Sequence, residues 1–205
     1  MGIGQHSLGD VSAMTRLRHL QLDIALRETA DLANLRSLVS LVVAGVGFSR
    51  MGSALELPRL RELRIDGISA AELARLSPSV TSLSVSRLTG SWPTLAASNL
   101  TELSIGFVER FDLAEIASLR ELAALEIHNV TRLEGLKVLL ELPALVRLEF
   151  EDVRSAEDVE TVDHLELDYF YVQGAHPFSL RQLKAWNARG VAGNRTTRAG
   201  EADAS

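Results

Sequence analysis

One pattern recurs eight times along the chain and limits its fold more than any other feature. It reads apolar, two variable, Leu, one variable, apolar, two variable, apolar, and begins at Leu17, Leu38, Leu60, Val80, Leu100, Leu122, Leu145 and Val162. The steps between these starts are 21, 22, 20, 20, 22, 23 and 17 residues. The second slot is Leu throughout: Leu20, Leu41, Leu63, Leu83, Leu103, Leu125, Leu148 and Leu165. The third is Leu22, Val43, Ile65, Val85, Ile105, Ile127, Phe150 and Leu167, and the fourth is Ala25, Val46, Ile68, Leu88, Val108, Val130, Val153 and Phe170. With 46 % of the 205 residues hydrophobic, chance would fill every slot with a probability of roughly 10⁻¹¹ in one fixed register. Alternation across the second and third slots predicts a short strand with its Leu face inward and its variable residues outward. A return of about a dozen residues brings the chain back parallel to itself, one strand along. No repeat can bury its own apolar face, so the stack must do so collectively.

The L-x-x-L-x-L core of these units, spanning about residues 17–170, resembles that of leucine-rich repeat proteins. Pro58, Pro78 and Pro143, each two residues before a first slot, strengthen the likeness. The resemblance implies an α/β leucine-rich-repeat solenoid of about eight short parallel strands, with helical or irregular returns on the outer face. One departure stands out. The fourth slot usually carries an Asn that ladders to the turn backbone, but here it is apolar in every unit, so the turn's backbone groups need other partners. Ser69-Ala-Ala-Glu72, Asp112-Leu-Ala-Glu115 and Thr131-Arg-Leu-Glu134 predict capped helix starts. The returns at 47–59 and 89–99 carry Gly or Pro and should be irregular, and 154–161 has room for a single turn.

The ends divide the chain further. Residues 1–16 read as a tail and weak cap: either the first strand is an open edge, or repeats continue upstream. The repeats occupy 17–176. A C-terminal capping helix is expected within 177–190, where Ser179-Leu-Arg-Gln182 forms another capping box, Leu180, Leu183 and Trp186 recur at helical spacing, Phe178 adds apolar area and Gly190 suits the residue past the helix. Residues 191–205 have no pattern and read as a disordered tail.

Composition removes several function classes. The chain has no cysteine, hence no disulfide framework, thiolate zinc site or cysteine nucleophile. No apolar run approaches the roughly 18 residues of a membrane helix, and MGIGQHSLGD has neither the basic nor the apolar region of a secretion signal. A cytoplasmic setting with no membrane contact is therefore expected. Lysine is confined to Lys137 and Lys184 while arginine is plentiful, the codon signature of a GC-rich bacterial genome. The net charge is −6 with scattered arginines, so no nucleic acid is expected to bind. The chain has no G-x-S-x-G elbow, no Walker loop and no G-x-G-x-x-G, so neither a catalytic residue nor a cofactor is expected. Trp92 should fill space left by a missing helix, and His19, His128 and His164 fall on outward strand positions.

The charge itself is concentrated. Residues 145–170 hold nine acids and two arginines, a net −7, which leaves +1 for the rest. In this register Glu126, Glu149 and Glu166 share one outward column, and His128, Glu151 and Asp168 share the next. Like charges on neighbouring strands destabilise one another, so stability alone would not select such a column. Asp152 and Tyr169 adjoin it, and Tyr169, Tyr171 and Phe107 add the aromatic area that interfaces favour. The expected function is non-catalytic protein binding through the strand (concave) face, as a small adaptor or inhibitor, with a basic nuclease or toxin as one candidate partner. Glu126, His128, Glu149, Glu151, Asp152, Glu166, Asp168 and Tyr169 are the expected binding residues. Two other readings stay open: a structural or sensor subunit of a larger repeat protein, and a metal-dependent enzyme at His128, Glu151 and Asp168.

Overall fold

The computed structural model describes residues 14–22, 32–44, 56–95, 99–188 and 192–193. The chain divides into two compact units, Met1–Leu100 and Thr101–Ser205. The first contains strands β1 (His19–Leu22), β2 (Ser40–Val43), β3 (Glu62–Asp66) and β4 (Ser82–Ser86). The second contains β5 (Glu102–Asp112), β6 (Ala124–Glu134), β7 (Arg147–Ala156), β8 (Tyr169–Gln173) and the two-residue β9 (Ala192–Gly193). Within each unit the strands are parallel and adjacent in chain order.

The repeat periodicity fixes the register of seven strands. Leu20, Leu41 and Leu63 stand side by side, as do Leu103, Leu125 and Leu148. From β2 to β7 the second and third slots are all buried, with exposures of 2 % or less. Tight turns open the first four, the sixth and the seventh repeats. The amides of Leu60, Val80 and Leu145 donate to the carbonyls of Leu57, Ser77 and Leu142, which places Pro58, Pro78 and Pro143 second in the turn, where their fixed φ suits it.

The eighth strand departs from the expected register. β8 aligns Leu148 with Phe170 and Phe150 with Val172, so the last repeat begins at Leu167 and its step is 22 residues, like the others. Leu165 and Leu167 lie before the strand and are half-buried. His164 ends a 3-10 helix, Val159–His164, and is not on a strand.

The apolar fourth slots solve the missing-Asn problem by extending the ladder. Val108, Val130 and Val153 pair with one another, and pairing continues to Asp112 and Glu134. From the third repeat on, the residue before the fourth slot bends the chain through the left-handed region: Gly67, Arg87, Phe107, Asn129, Asp152 and Gly174 have φ of 79°, 55°, 55°, 54°, 53° and 68°. In the first unit Gly67 N–H donates to Ser86 O and Thr89 N–H to Ile68 O, so the bend leaves its backbone groups paired there too.

Among the described residues, four returns contain 3-10 helices. Ser69 and Glu72 form the expected capping box on the short helix α1 (Ala70–Leu73). Asp112 Oδ1 accepts from the Ala114 amide at 2.9 Å and opens a 3-10 helix, Leu113–Ile116. The box expected at Thr131–Glu134 does not form: these residues end β6, with Leu133 paired to Phe111 and Ala156, and Gly135 opens the 3-10 helix Leu136–Glu141 without a side-chain cap. Glu134 is instead buried to 8 % exposure between Arg110 and Arg132. Trp92 is buried at 7 % exposure.

The helix α2 (Leu180–Ala188) follows the last repeat. Ser179 Oγ accepts from the Gln182 amide at 3.3 Å, and Gln182 Oε1 accepts from the Ser179 amide at 3.0 Å. Leu183 and Trp186 face inward while Leu180 is exposed. The rings of Phe150, Phe170, Phe178 and Trp186 form one cluster, with Phe170 edge-on to Trp186 at 4.5 Å. Trp186 Nε1–H donates to Asp163 Oδ1 at 2.7 Å. Ala25, Val46, Gly190 and the tail beyond Gly193 lie outside the described residues.

Candidate binding face

The outward side of β5–β8 carries four columns, set by register. The first runs Glu102, Ala124, Arg147, Tyr169; the second Ser104, Glu126, Glu149, Tyr171; the third Gly106, His128, Glu151, Gln173. The left-handed residues Phe107, Asn129, Asp152 and Gly174 form the fourth, at the bend itself. Neighbouring positions in a column are about 4.8 Å apart. Glu126, His128, Glu149 and Glu151 therefore sit together on β6 and β7 as expected.

Glu166 and Asp168 do not join them. They precede β8 and are exposed, and the Asp168 amide donates to Val146 O at 2.8 Å. Tyr171 and Gln173 hold the column positions assigned to them. The reason is the five-residue shift of the last repeat, because Leu167 is its first apolar slot rather than its third. Among the described residues no group of three His, Asp or Glu side chains is disposed to hold a metal ion.

Asp152 is committed to the turn. Its Oδ1 accepts from the Ala175 amide at 3.0 Å. A Cβ on Gly174 would lie 2.1 Å from that oxygen, so the glycine makes room for the bond. The same device forms around Gly106. A Cβ there would lie 2.0 Å from His128 Cε1, and the imidazole covering the glycine meets the Phe107 ring edge-on at 5.4 Å. Phe107 is 56 % exposed while its backbone has a positive φ, a rare conformation for a bulky residue.

The opposite corner is aromatic too. Tyr169 and Tyr171 stack at 6.4 Å with planes 17° apart. Arg147 lies over the Tyr169 ring at 5.0 Å, and its Nε–H donates to Glu149 Oε1 at 2.7 Å. That carboxylate and the neighbouring tyrosine charge raise the Arg147 pKa above its ordinary value, the hydrogen bond to Glu149 being the largest cause. Burial, then the Glu149 charge, raises the Tyr169 hydroxyl, and Arg147 opposes the shift. The Tyr171 hydroxyl pairs with Gln173 Oε1. Arg147, Gln173 and Gly106 were not singled out from sequence; a uniform repeat step would have placed Gln173.

This arrangement of parallel strands, 3-10 returns and inward leucines is the leucine-rich-repeat fold. Among solved structures, the chain is similar to an internalin C2 from Listeria monocytogenes, with 18 % identity, a TM-score of 0.50, and coverage of 75 % of this chain and 80 % of that one. An internalin from the same organism, inlF, matches with 20 % identity and a TM-score of 0.68 over 86 % of this chain, which spans 54 % of the internalin's length. No protein-family model and no curated protein sequence matches.

Proposed function

We propose that this chain is a non-catalytic protein-binding module, an adaptor or inhibitor, whose β5–β8 strand face receives a basic segment of a partner protein. The observation that carries the reading is the disposition of charge on β6 and β7. Glu126, Glu149 and Glu151 stand on adjacent strands with one guanidinium, Arg147, among them. Exposed aromatic rings stand on either side, Phe107 on β5 and Tyr169 on β8. Stacked carboxylates oppose folding but steer and hold a cationic partner, and the aromatic rim supplies area that excludes water. The leucine-rich-repeat fold supports the reading as a scaffold that presents one broad strand face.

The test is a triple variant, Glu126→Gln with Glu149→Gln and Glu151→Gln, titrated with a lysine- and arginine-containing peptide of about ten residues. Affinity of the unaltered chain should fall steeply with salt; that of the variant should be lower and nearly salt-independent. Equal affinity and equal salt dependence in the two proteins would overturn the reading.

A further inference from the structure

The corner formed by Arg147, Glu149 and Tyr169 has the parts of a recognition site, and its contents say for what. Arg147 stands opposite Ala124 on β6 and Tyr169 on β8. Its side chain runs along β7 to Glu149, two residues on and on the same face. The guanidinium then lies 5.0 Å from the Tyr169 ring centroid. A planar cation on an aromatic face, with a carboxylate at its edge, is the geometry in which guanidinium differs most from ammonium.

The pairing is incomplete. Both hydrogen bonds from Arg147 fall on Glu149 Oε1, so the two-oxygen fork that arginine makes with a carboxylate is not formed. Arg147 is 57 % exposed in its side chain whereas Glu149 is 19 % exposed. The carboxylate is thus the enclosed partner and the arginine the exposed one. Exposed ion pairs of this kind contribute little to stability, so Arg147 can leave without unfolding anything. Tyr171, stacked behind Tyr169 and tied to Gln173, holds the ring in place when it does.

We propose that Tyr169, Tyr171 and Glu149 form a guanidinium seat that takes an arginine side chain of the partner's basic segment, and that Arg147 occupies the seat in the free protein. The inference rests on the binding reading above and deepens it: the partner segment is selected for arginine over lysine. Arg147 acts as a built-in competitor that a single weak cation does not displace. The partner's arginine makes the two-oxygen fork with Glu149 that Arg147 leaves unmade, and Glu126 and Glu151 on either side attract the residues that flank it.

The experiment uses the full chain and two peptides of equal length and charge, one with arginine and one with lysine as its only cationic residue type. Both are titrated by calorimetry into the unaltered chain, Arg147→Met and Tyr169→Leu. The arginine peptide should bind the unaltered chain roughly two- to fivefold more tightly than the lysine peptide, the scale of an exposed cation–aromatic contact. Arg147→Met removes a positive charge and should tighten both peptides, but the arginine peptide by a further two- to fivefold or so. Tyr169→Leu should abolish the preference and leave lysine-peptide affinity in place. Equal tightening of both peptides by Arg147→Met, or a preference that survives Tyr169→Leu, overturns the seat while leaving the acidic face as a binding surface. Failure of both peptides to bind the unaltered chain and Arg147→Met overturns the seat and the binding reading together. Unchanged circular dichroism and melting of the two variants establish that altered binding is not altered folding.

Discussion

Replacing Phe170 by Ala, beside Leu165→Ala, measures where the last repeat begins. Phe170 stands opposite Leu148 and is 2 % exposed. Its ring meets Phe150 at 6.0 Å, Phe178 at 5.9 Å and Trp186 at 4.5 Å, all edge-on. Truncating a buried Phe costs about 3–5 kcal/mol, and the loss of three such ring contacts puts this site at the upper end, near 5 kcal/mol. Leu165 is half-buried and before the strand, so its truncation should cost about 1 kcal/mol. Urea unfolding followed by circular dichroism reads the difference. With a slope of about 2–3 kcal/mol per molar for a chain of this size, Phe170→Ala should lower the midpoint by about 2 M and Leu165→Ala by less than about 0.5 M. If Leu165→Ala proves as costly as Phe170→Ala, the strand register is the five-residue alternative, and Glu166 and Asp168 return to the acidic columns.

Gly106→Ala should push the His128 ring off the glycine and free the Phe107 side chain, at a stability cost on the order of 1 kcal/mol because the obstruction is a side chain rather than backbone; the readout is loss of ring-current shifts between Phe107 and His128 in NMR spectra, and unchanged shifts would refute the packing. Tyr169 gives a pH signature. Its hydroxyl is raised above its ordinary value, first by burial and then by Glu149, so the folded state binds its proton more tightly than the unfolded chain does. The stability this contributes is fully present below the unfolded value of about 10 and is lost as pH rises through the folded one. Tyr169→Phe should therefore flatten the alkaline loss of stability, measured by urea midpoints at pH 8 to 11; an unchanged slope would place the ring in solvent.

Much of the fold was legible because a repeat imposes the same demand many times: Leu41, Leu63, Leu83, Leu103, Leu125 and Leu148 each fill an equivalent inward position. The eighth repeat was misread because two frames satisfy that demand. Val162, Leu165, Leu167 and Phe170 fit the pattern by polarity as well as Leu167, Phe170, Val172 and Ala175 do. Only the step separates them: 17 residues leave too little chain for a return, and 22 match the other units. The Thr131–Glu134 box failed for a related reason. A capping sequence states what a helix start would need, but Leu133 satisfies its backbone in the β6 ladder before any helix can begin. At the candidate face, outward positions on β6 and β7 followed from alternation alone, so the side-by-side placing of Glu126, His128, Glu149 and Glu151 was legible. Asp152 had the composition of a surface acid, but a left-handed backbone turned it onto the Ala175 amide. The Arg147–Tyr169 contact depends on a side-chain rotamer across strands, which periodicity does not encode.

The left-handed bend at the ends of the third to eighth repeats' outward faces sets stability and display against each other at one numbered position in each of these six repeats. Glycine adopts that conformation freely, and Gly67 and Gly174 do so at the cost of presenting no side chain. Asn129 and Asp152 are residue types that tolerate it. Arg87 and Phe107 have neither excuse, and each incurs strain on the order of 1–2 kcal/mol. A library varied at this one position and sorted for heat resistance should converge on glycine in each of the six. The same library sorted for partner capture should keep the aromatic ring at 107, and the divergence of the two populations would map, repeat by repeat, where the molecule has exchanged robustness for contact.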